Sequence, residues 1–238
     1  MKEIIEQIEK EENIKVLFLL ESGSRAWGFE SEDSDYDIRG VFIQDYLRFD
    51  ETKSQIDRVI GEADITLWDL KKFLRLMVKS NPSVWEWLSS NIIYIEHPLR
   101  KTLKYMFERE FNKYALQKHY ISMAKQNFHK YINEIGDKAN LKKYIYILRS
   151  LACASYIEKN GLPPPKNYKE TIGLLPNNIQ TFFVNIIEEK KRTESMEGTR
   201  NPEAEKFIQT FFDLELKEDK SNFDIDYINR LFKEIINA

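Results

Sequence analysis

The chain has 238 residues, of which 42% are hydrophobic, 32% charged and 13% aromatic, with 8 glycines and 7 prolines. That composition supports a buried core and excludes collagen-like, linker-dominated and generally disordered chains. The net charge of −3 conceals an asymmetry: residues 1–99 carry a net of −8, residues 100–160 a net of +8, and residues 161–238 a net of −3. An acidic first third beside a basic middle has two readings, solvated helix faces or a carboxylate site facing a platform for phosphates. The single cysteine, Cys153, excludes an intrachain disulfide and a thiolate metal cluster. Apolar runs such as Val16–Leu20 are too short to span a bilayer, and the opening MKEIIEQIEKEE lacks the apolar stretch of a signal peptide. The expectation is a soluble, cytoplasmic protein with no membrane partner.

Residues 2–12 read as an amphipathic helix, with Ile4, Ile5 and Ile8 on one face. Ile14–Leu20 is a continuous apolar run, the mark of a buried strand. Glu21–Gly28 holds two glycines and reads as a turn entering a helix. Tyr36–Ile43 alternates and is β-branched, a second strand. Ile56–Ile60 and Ala63–Thr66 flank Gly61-Glu62 as a hairpin. Thr66-x-x-Asp69 resembles a capping box, with Asp in its last place, opening a helix over Leu70–Lys79. Asn81-Pro82 caps a helix through Leu88, and Ile92–Ile95 is a last strand. From Leu99 onward the period changes. Leu99–Ile135, Asn140–Lys159, Asn178–Lys191, Pro202–Leu216 and Phe223–Asn237 are helical, Gly161-Leu-Pro-Pro-Pro165 is a stop, and Glu194–Thr199 reads as a polar, mobile loop. The predicted architecture is α+β: an α/β domain with a small mixed sheet over residues 1–98, then a C-terminal helical bundle over residues 99–238.

The chemistry concentrates between the first two strands. Gly23-Ser24 follows the apolar strand directly, where a glycine lets the backbone approach a ligand and the N–H groups of a helix start attract phosphate. Asp35 and Asp37 are two apart at the start of the next strand, so both carboxylates fall on one face of the sheet. Like charges held that close favour a cation between them, and the hard oxygen donors suit Mg²⁺ or Mn²⁺. Arg39 shares that face, for an ion pair with the aspartates or a phosphate contact. Arg25 is in reach of a phosphate, or of Glu21 or Glu32, and Trp27 packs or stacks on a base. In the helical half, Lys142, Tyr146 and Arg149 form one stripe, a phosphate clamp or a solvated face. Cys153 has the apolar context of a buried, inert thiol.

Gly23-Ser24, Gly28 and Ser34-Asp35-x-Asp37 together resemble the signature of the DNA polymerase β-like nucleotidyltransferase superfamily. The run from Gly23 to Gly40, with DITLWDLKKFL and SNPSVWEWL after it, is similar to the RNA repair pathway-associated subgroup, the RlaP or YcgL type. The likeness is specific over residues 20–90 and extends more weakly over residues 142–171. It implies two-metal transfer of a nucleoside monophosphate from an NTP such as ATP to a hydroxyl, with release of pyrophosphate. Asp35 and Asp37 would bridge two Mg²⁺ (or Mn²⁺) ions. Asp64 would be the third carboxylate and help deprotonate the acceptor, with Glu62 and Asp57 as competitors. Ser24 would hold the terminal phosphates, with Gly23, Arg25, Ser34, Arg39, Lys142, Tyr146 and Arg149 as the other nucleotide-binding residues. The expected acceptor is an RNA end, and the basic middle segment suits its backbone. The alternatives are a protein or small-molecule hydroxyl, or a nucleotide-binding protein without turnover.

Overall fold

The computed structural model describes residues 1–32, 34–48, 52–133, 138–192, 196–218, 220 and 222–237. The chain forms two compact units: Met1–Ala26, Asp35–Phe111 and Ser221–Ala238 make the first, and Trp27–Ser34 with Asn112–Lys220 the second. They do not follow a division at residue 98.

The chain opens with helix α1 (Lys2–Glu12), which ends on Asn13 in the left-handed region, and turns into strand β1 (Ile14–Glu21). Helix α2 (Gly23–Trp27) is short, and strand β2 (Tyr36–Gln44) returns antiparallel to β1. The hairpin of β3 (Gln55–Ile60) and β4 (Ala63–Asp69) turns at Gly61, whose φ of 59° is one that glycine adopts readily. After helices α3 (Leu70–Val78) and α4 (Pro82–Leu88) comes the short strand β5 (Ile93–Ile95). The sheet order is β3-β4-β2-β1-β5. Among the described strands of this sheet only β2 and β4 pair parallel; the other pairings are antiparallel, so the sheet is mixed, as expected.

Ile5 and Ile8 of α1 bury against Val16, Leu19, Ile38, Ile65 and Leu67 on one face of the sheet. Phe18 meets Phe73 of α3 edge-on at 5.7 Å, and Trp68 meets Trp87 of α4 at 4.0 Å. Asp69, not Thr66, caps α3: its Oδ1 accepts from the N–H groups of Lys71 and Lys72, while Thr66 lies inside β4 and donates its hydroxyl to Asp57. Helix α5 (Pro98–Glu110) belongs to this unit because Phe107 stacks on Trp85 at 5.4 Å.

The second unit is helical, with α6 (Lys113–Phe128), α7 (Leu141–Asn160), α8 (Asn177–Lys190) and α9 (Pro202–Gln209). Asn112 caps α6 and separates it from α5, so the long period read over residues 99–135 is broken into two helices, and its last residues, 134–135, lie outside the described residues. Gly161 ends α7 with φ 65°. A two-stranded ladder, β6 (Lys138–Asn140) with β7 (Glu197–Thr199), is a departure from the all-helical expectation for this half. Three-residue strands leave no alternation to read, and Gly198 is needed because a Cβ there would lie 2.7 Å from Leu141. The rest of the expected loop, residues 194–195, lies outside the described residues. The predicted helix over Pro202–Leu216 stops at Gln209. The chain then returns to the first unit as α10 (Ile225–Ile236), where Phe223 meets Phe107 at 6.2 Å and Phe232 meets Tyr46 at 5.3 Å.

Candidate active site

Parallel pairing of β2 and β4 decides which carboxylates meet. Asp37 stands opposite Asp64 in register, with Arg39 opposite Thr66. Burial in β4 alternates strictly, so Ala63, Ile65 and Leu67 enter the core while Asp64 and Thr66 take the more open face. Arg39 draws the two carboxylates together. Its Nη2 donates to Asp37 Oδ1 at 2.8 Å and to Asp64 Oδ2 at 2.9 Å, and its Nη1 to the Asp64 carbonyl at 2.7 Å. Of the three carboxylates weighed as the third acid, Asp64 is the one opposite Asp37. Asp57 accepts from Thr66 and Gln55, and Glu62 lies in the turn, where its carbonyl accepts the Tyr36 N–H.

Asp37 is fixed from below as well. Its N–H donates to Glu21 Oε1 at 2.7 Å and its carbonyl accepts the Ser22 N–H at 2.8 Å. Glu21 is fully buried, and its Oε2 accepts the Tyr94 hydroxyl at 2.6 Å. Burial pushes the Glu21 carboxyl above the ordinary carboxylate range, against the Tyr94 hydroxyl and the Asp37 N–H, which favour the ionised form. Gly23 has φ 59°, and a Cβ there would sit 1.7 Å from Asp37 Oδ2. The glycine of the signature therefore makes room for the aspartate carboxylate. With α2 only five residues long, the phosphate attraction expected from its N-terminus has little helix behind it.

Ser24 is buried beside Gly23, and Asp35 is exposed just before β2. The Arg25 guanidinium lies 4.1 Å over the Tyr36 ring. The remaining predicted residues belong to the second unit. Ser34 is buried there, its hydroxyl accepting the Ser31 N–H at 2.9 Å and the Lys190 ammonium at 2.8 Å. Lys190 is itself 1% exposed and also donates to Ser31 Oγ at 3.2 Å. The stripe on α7 gathers around the signature's tryptophan. The Arg149 guanidinium lies 4.0 Å over the Trp27 ring and is buried, and Tyr146 meets Trp27 edge-on at 5.9 Å. Lys142 is half-buried on the same helix, and Lys143 sits over the Tyr131 and Tyr146 rings. Arg149 is thus no solvated face. Cys153 is buried.

Among the described residues, no group of three or more His, Cys, Asp or Glu side chains is gathered to hold a metal ion. The pair at Asp37 and Asp64 already surrounds one positive charge, that of Arg39, with oxygen donors alone. That donor chemistry fits a hard divalent cation, with Asp35 two residues before Asp37, just ahead of β2. Two contributors escaped the sequence reading, Glu21 and Lys190. Glu21 had a signal: a carboxylate ending a run of buried strand residues.

Residues 1–234 match the model of RlaP, the RNA repair pathway DNA polymerase beta family. The chain belongs to the RlaP family. RlaP membership makes it a polymerase β-like nucleotidyltransferase by descent. It is 34% identical to the uncharacterized protein YcgL of Bacillus subtilis (strain 168), over 95% of this chain and 92% of that protein. A nucleotidyltransferase-like protein from Exiguobacterium sibiricum 255-15 is 15% identical and matches with a TM-score of 0.32 over 80% of this chain and 75% of that one. In this RlaP-family chain no helix among the described residues is long and apolar enough to cross a membrane.

Proposed function

We propose that the chain transfers a nucleoside monophosphate from an NTP to a hydroxyl at an RNA end and releases pyrophosphate. The observation that carries this reading is the Asp37–Asp64 pair, set in register on parallel strands and seated against Gly23. Asp35, Asp37 and Asp64 would hold Mg²⁺ or Mn²⁺. Bound there, the two ions supply charge stabilisation for the attacking and leaving oxygens of an in-line displacement. The acceptor oxygen forms a bond to the α-phosphorus of the NTP, the bond from that phosphorus to the β-bridging oxygen breaks, and the acceptor proton passes to the Asp64 carboxylate. Arg39 orients both carboxylates, and Glu21 fixes the backbone of Asp37. Ser24 and Arg25 bind the departing phosphates. The acceptor assignment is supported by the family's description and by the net +8 of residues 100–160.

The test incubates the protein with each α-labelled NTP and Mg²⁺, in parallel with total RNA, cell protein or no acceptor. Label in RNA that disappears in the Asp35→Ala/Asp37→Ala variant is the expected result, with activity that falls steeply as salt rises. Label in protein instead moves the acceptor to a protein hydroxyl. NTP binding without label in any arm removes the RNA reading and leaves a small-molecule acceptor or a protein that binds nucleotide without turnover.

A further inference from the structure

Away from the carboxylates, α3 and α10 of the first unit enclose a cleft of about 450 Å³. Its floor is apolar: Leu74 and Val78 from α3, Ile228 and Phe232 from α10. Helix α10 is strongly amphipathic, yet Ile228 alone among its described residues is buried, and Ile225 at the cleft edge is 50% exposed. Its apolar face is incompletely covered. The rim is cationic. Lys71, Arg75 and Lys79 recur every fourth residue along α3, spaced about 6 Å apart by the helical rise. No carboxylate lines the cleft. Among the described residues none of the three makes an ion pair; Lys71 instead lies over the Tyr46 and Phe232 rings, at 4.9 and 5.7 Å.

We infer that this cleft is a docking groove for an acidic amphipathic helix of a protein partner. An apolar floor with an unpaired cationic rim calls for apolar side chains flanked by carboxylates. The groove between two helices, one of nine residues, suits a partner helix of about three turns, roughly 16 Å, presenting residues at i, i+3 or i+4, and i+7. A nucleic acid fits less well. Single strands bind by stacking bases on open aromatic faces, and the floor's one aromatic ring, Phe232, is covered by the Lys71 ammonium. The groove is independent of the transfer reaction proposed above.

The test pans a displayed library of helical peptides on the full-length protein, counter-selecting on the Lys71→Glu/Arg75→Glu/Lys79→Glu variant, and measures the winners by fluorescence anisotropy. All three positions are exposed, so the variant should fold, which circular dichroism and melting check. Enriched peptides should carry two or more acids beside apolar residues three or four apart, and should bind the variant at least about tenfold more weakly. Ile225→Asp should weaken them comparably. No enrichment, enrichment without acidic bias, or equal binding to both proteins overturns the proposal. So does a labelled single-stranded RNA whose binding is lost on the triple reversal, since the three cations would then read phosphates.

Discussion

Gly23→Ala, compared with Gly61→Ala, isolates the seating of Asp37 from backbone strain. The added Cβ would stand 1.7 Å from Asp37 Oδ2 and 2.6 Å from its Cγ, where contacts under 3.0 Å essentially do not occur, so the carboxylate must retreat by about 1.3 Å. A displacement of roughly 1 Å in a positioned catalytic group costs about 100-fold in rate. The left-handed backbone adds about 1–2 kcal/mol of strain in alanine, and loosening the half-exposed Asp37–Arg39 pair adds less than about 1 kcal/mol. Together, about 2 kcal/mol should lower Tm by about 4–8 °C in a chain of this size. Gly61→Ala is the matched control, with the same φ of 59° and nothing within 4 Å of the new methyl. It shares the backbone strain and none of the clash, so its transfer rate should equal wild type. The assay is initial-rate incorporation of α-labelled NTP beside a thermal melt. If Gly23→Ala keeps a rate within about threefold of Gly61→Ala, the seating argument is wrong.

Three further substitutions test how the frame is held. Lys190→Met removes a buried ammonium that holds Ser31 and Ser34, and should cost about 1–3 kcal/mol, read as a lower urea midpoint at unchanged slope. Asp69→Ala removes the α3 cap and also strands the Tyr46 hydroxyl and the Gln44 amide, which donate to Oδ2 at 2.7 and 2.9 Å; a loss of about 2–4 kcal/mol is expected by the same measurement. His97 Nδ1 accepts the Leu99 N–H as the cap of α5, and burial, then the Lys15 charge, hold the imidazole below its ordinary range. The unfolded chain therefore takes up the proton first, and stability falls as pH drops below 6.5 toward the lower folded value. His97→Asn caps without titrating, so its Tm should decline less between about pH 7.5 and about pH 5.5, and an equal decline would refute the role.

Strand and helix periods carried most of the first 98 residues because burial leaves its pattern in the chain, continuous in β1 and alternating in β4. Ile14–Leu20 and the alternation of Ala63–Thr66 are direct imprints of burial. The spacing of Asp35 and Asp37 predicted both on one strand face; Asp37 lies in β2 and Asp35 just ahead of it, and the residue opposite Asp37 was not legible from spacing. That Asp64 rather than Asp57 stands opposite Asp37 depends on a crossover that makes β2 and β4 parallel, and no local pattern encodes a register between strands twenty residues apart. Glu21 illustrates a second limit. Its carboxylate is held by Tyr94, 73 positions away, so in the sequence it read as the first residue of a turn and a partner in reach of Arg25. The pairing of β6 with β7 is long-range too, and involves only three residues on each side.

The second unit is an insertion, and that reverses the usual order of completion. Domains commonly fold as they emerge, the N-terminal part first. Here both termini belong to the first unit, whose last segment, Ser221–Ala238, follows the whole of Asn112–Lys220. On the ribosome, the part that begins first must therefore wait for the final helix to bring Phe223 to Phe107 and Phe232 to Tyr46. The second unit in turn needs Trp27–Ser34, made long before it. No single cut of the chain yields either piece whole, and a nascent chain stalled before residue 221 holds every predicted carboxylate of the site on an incomplete scaffold.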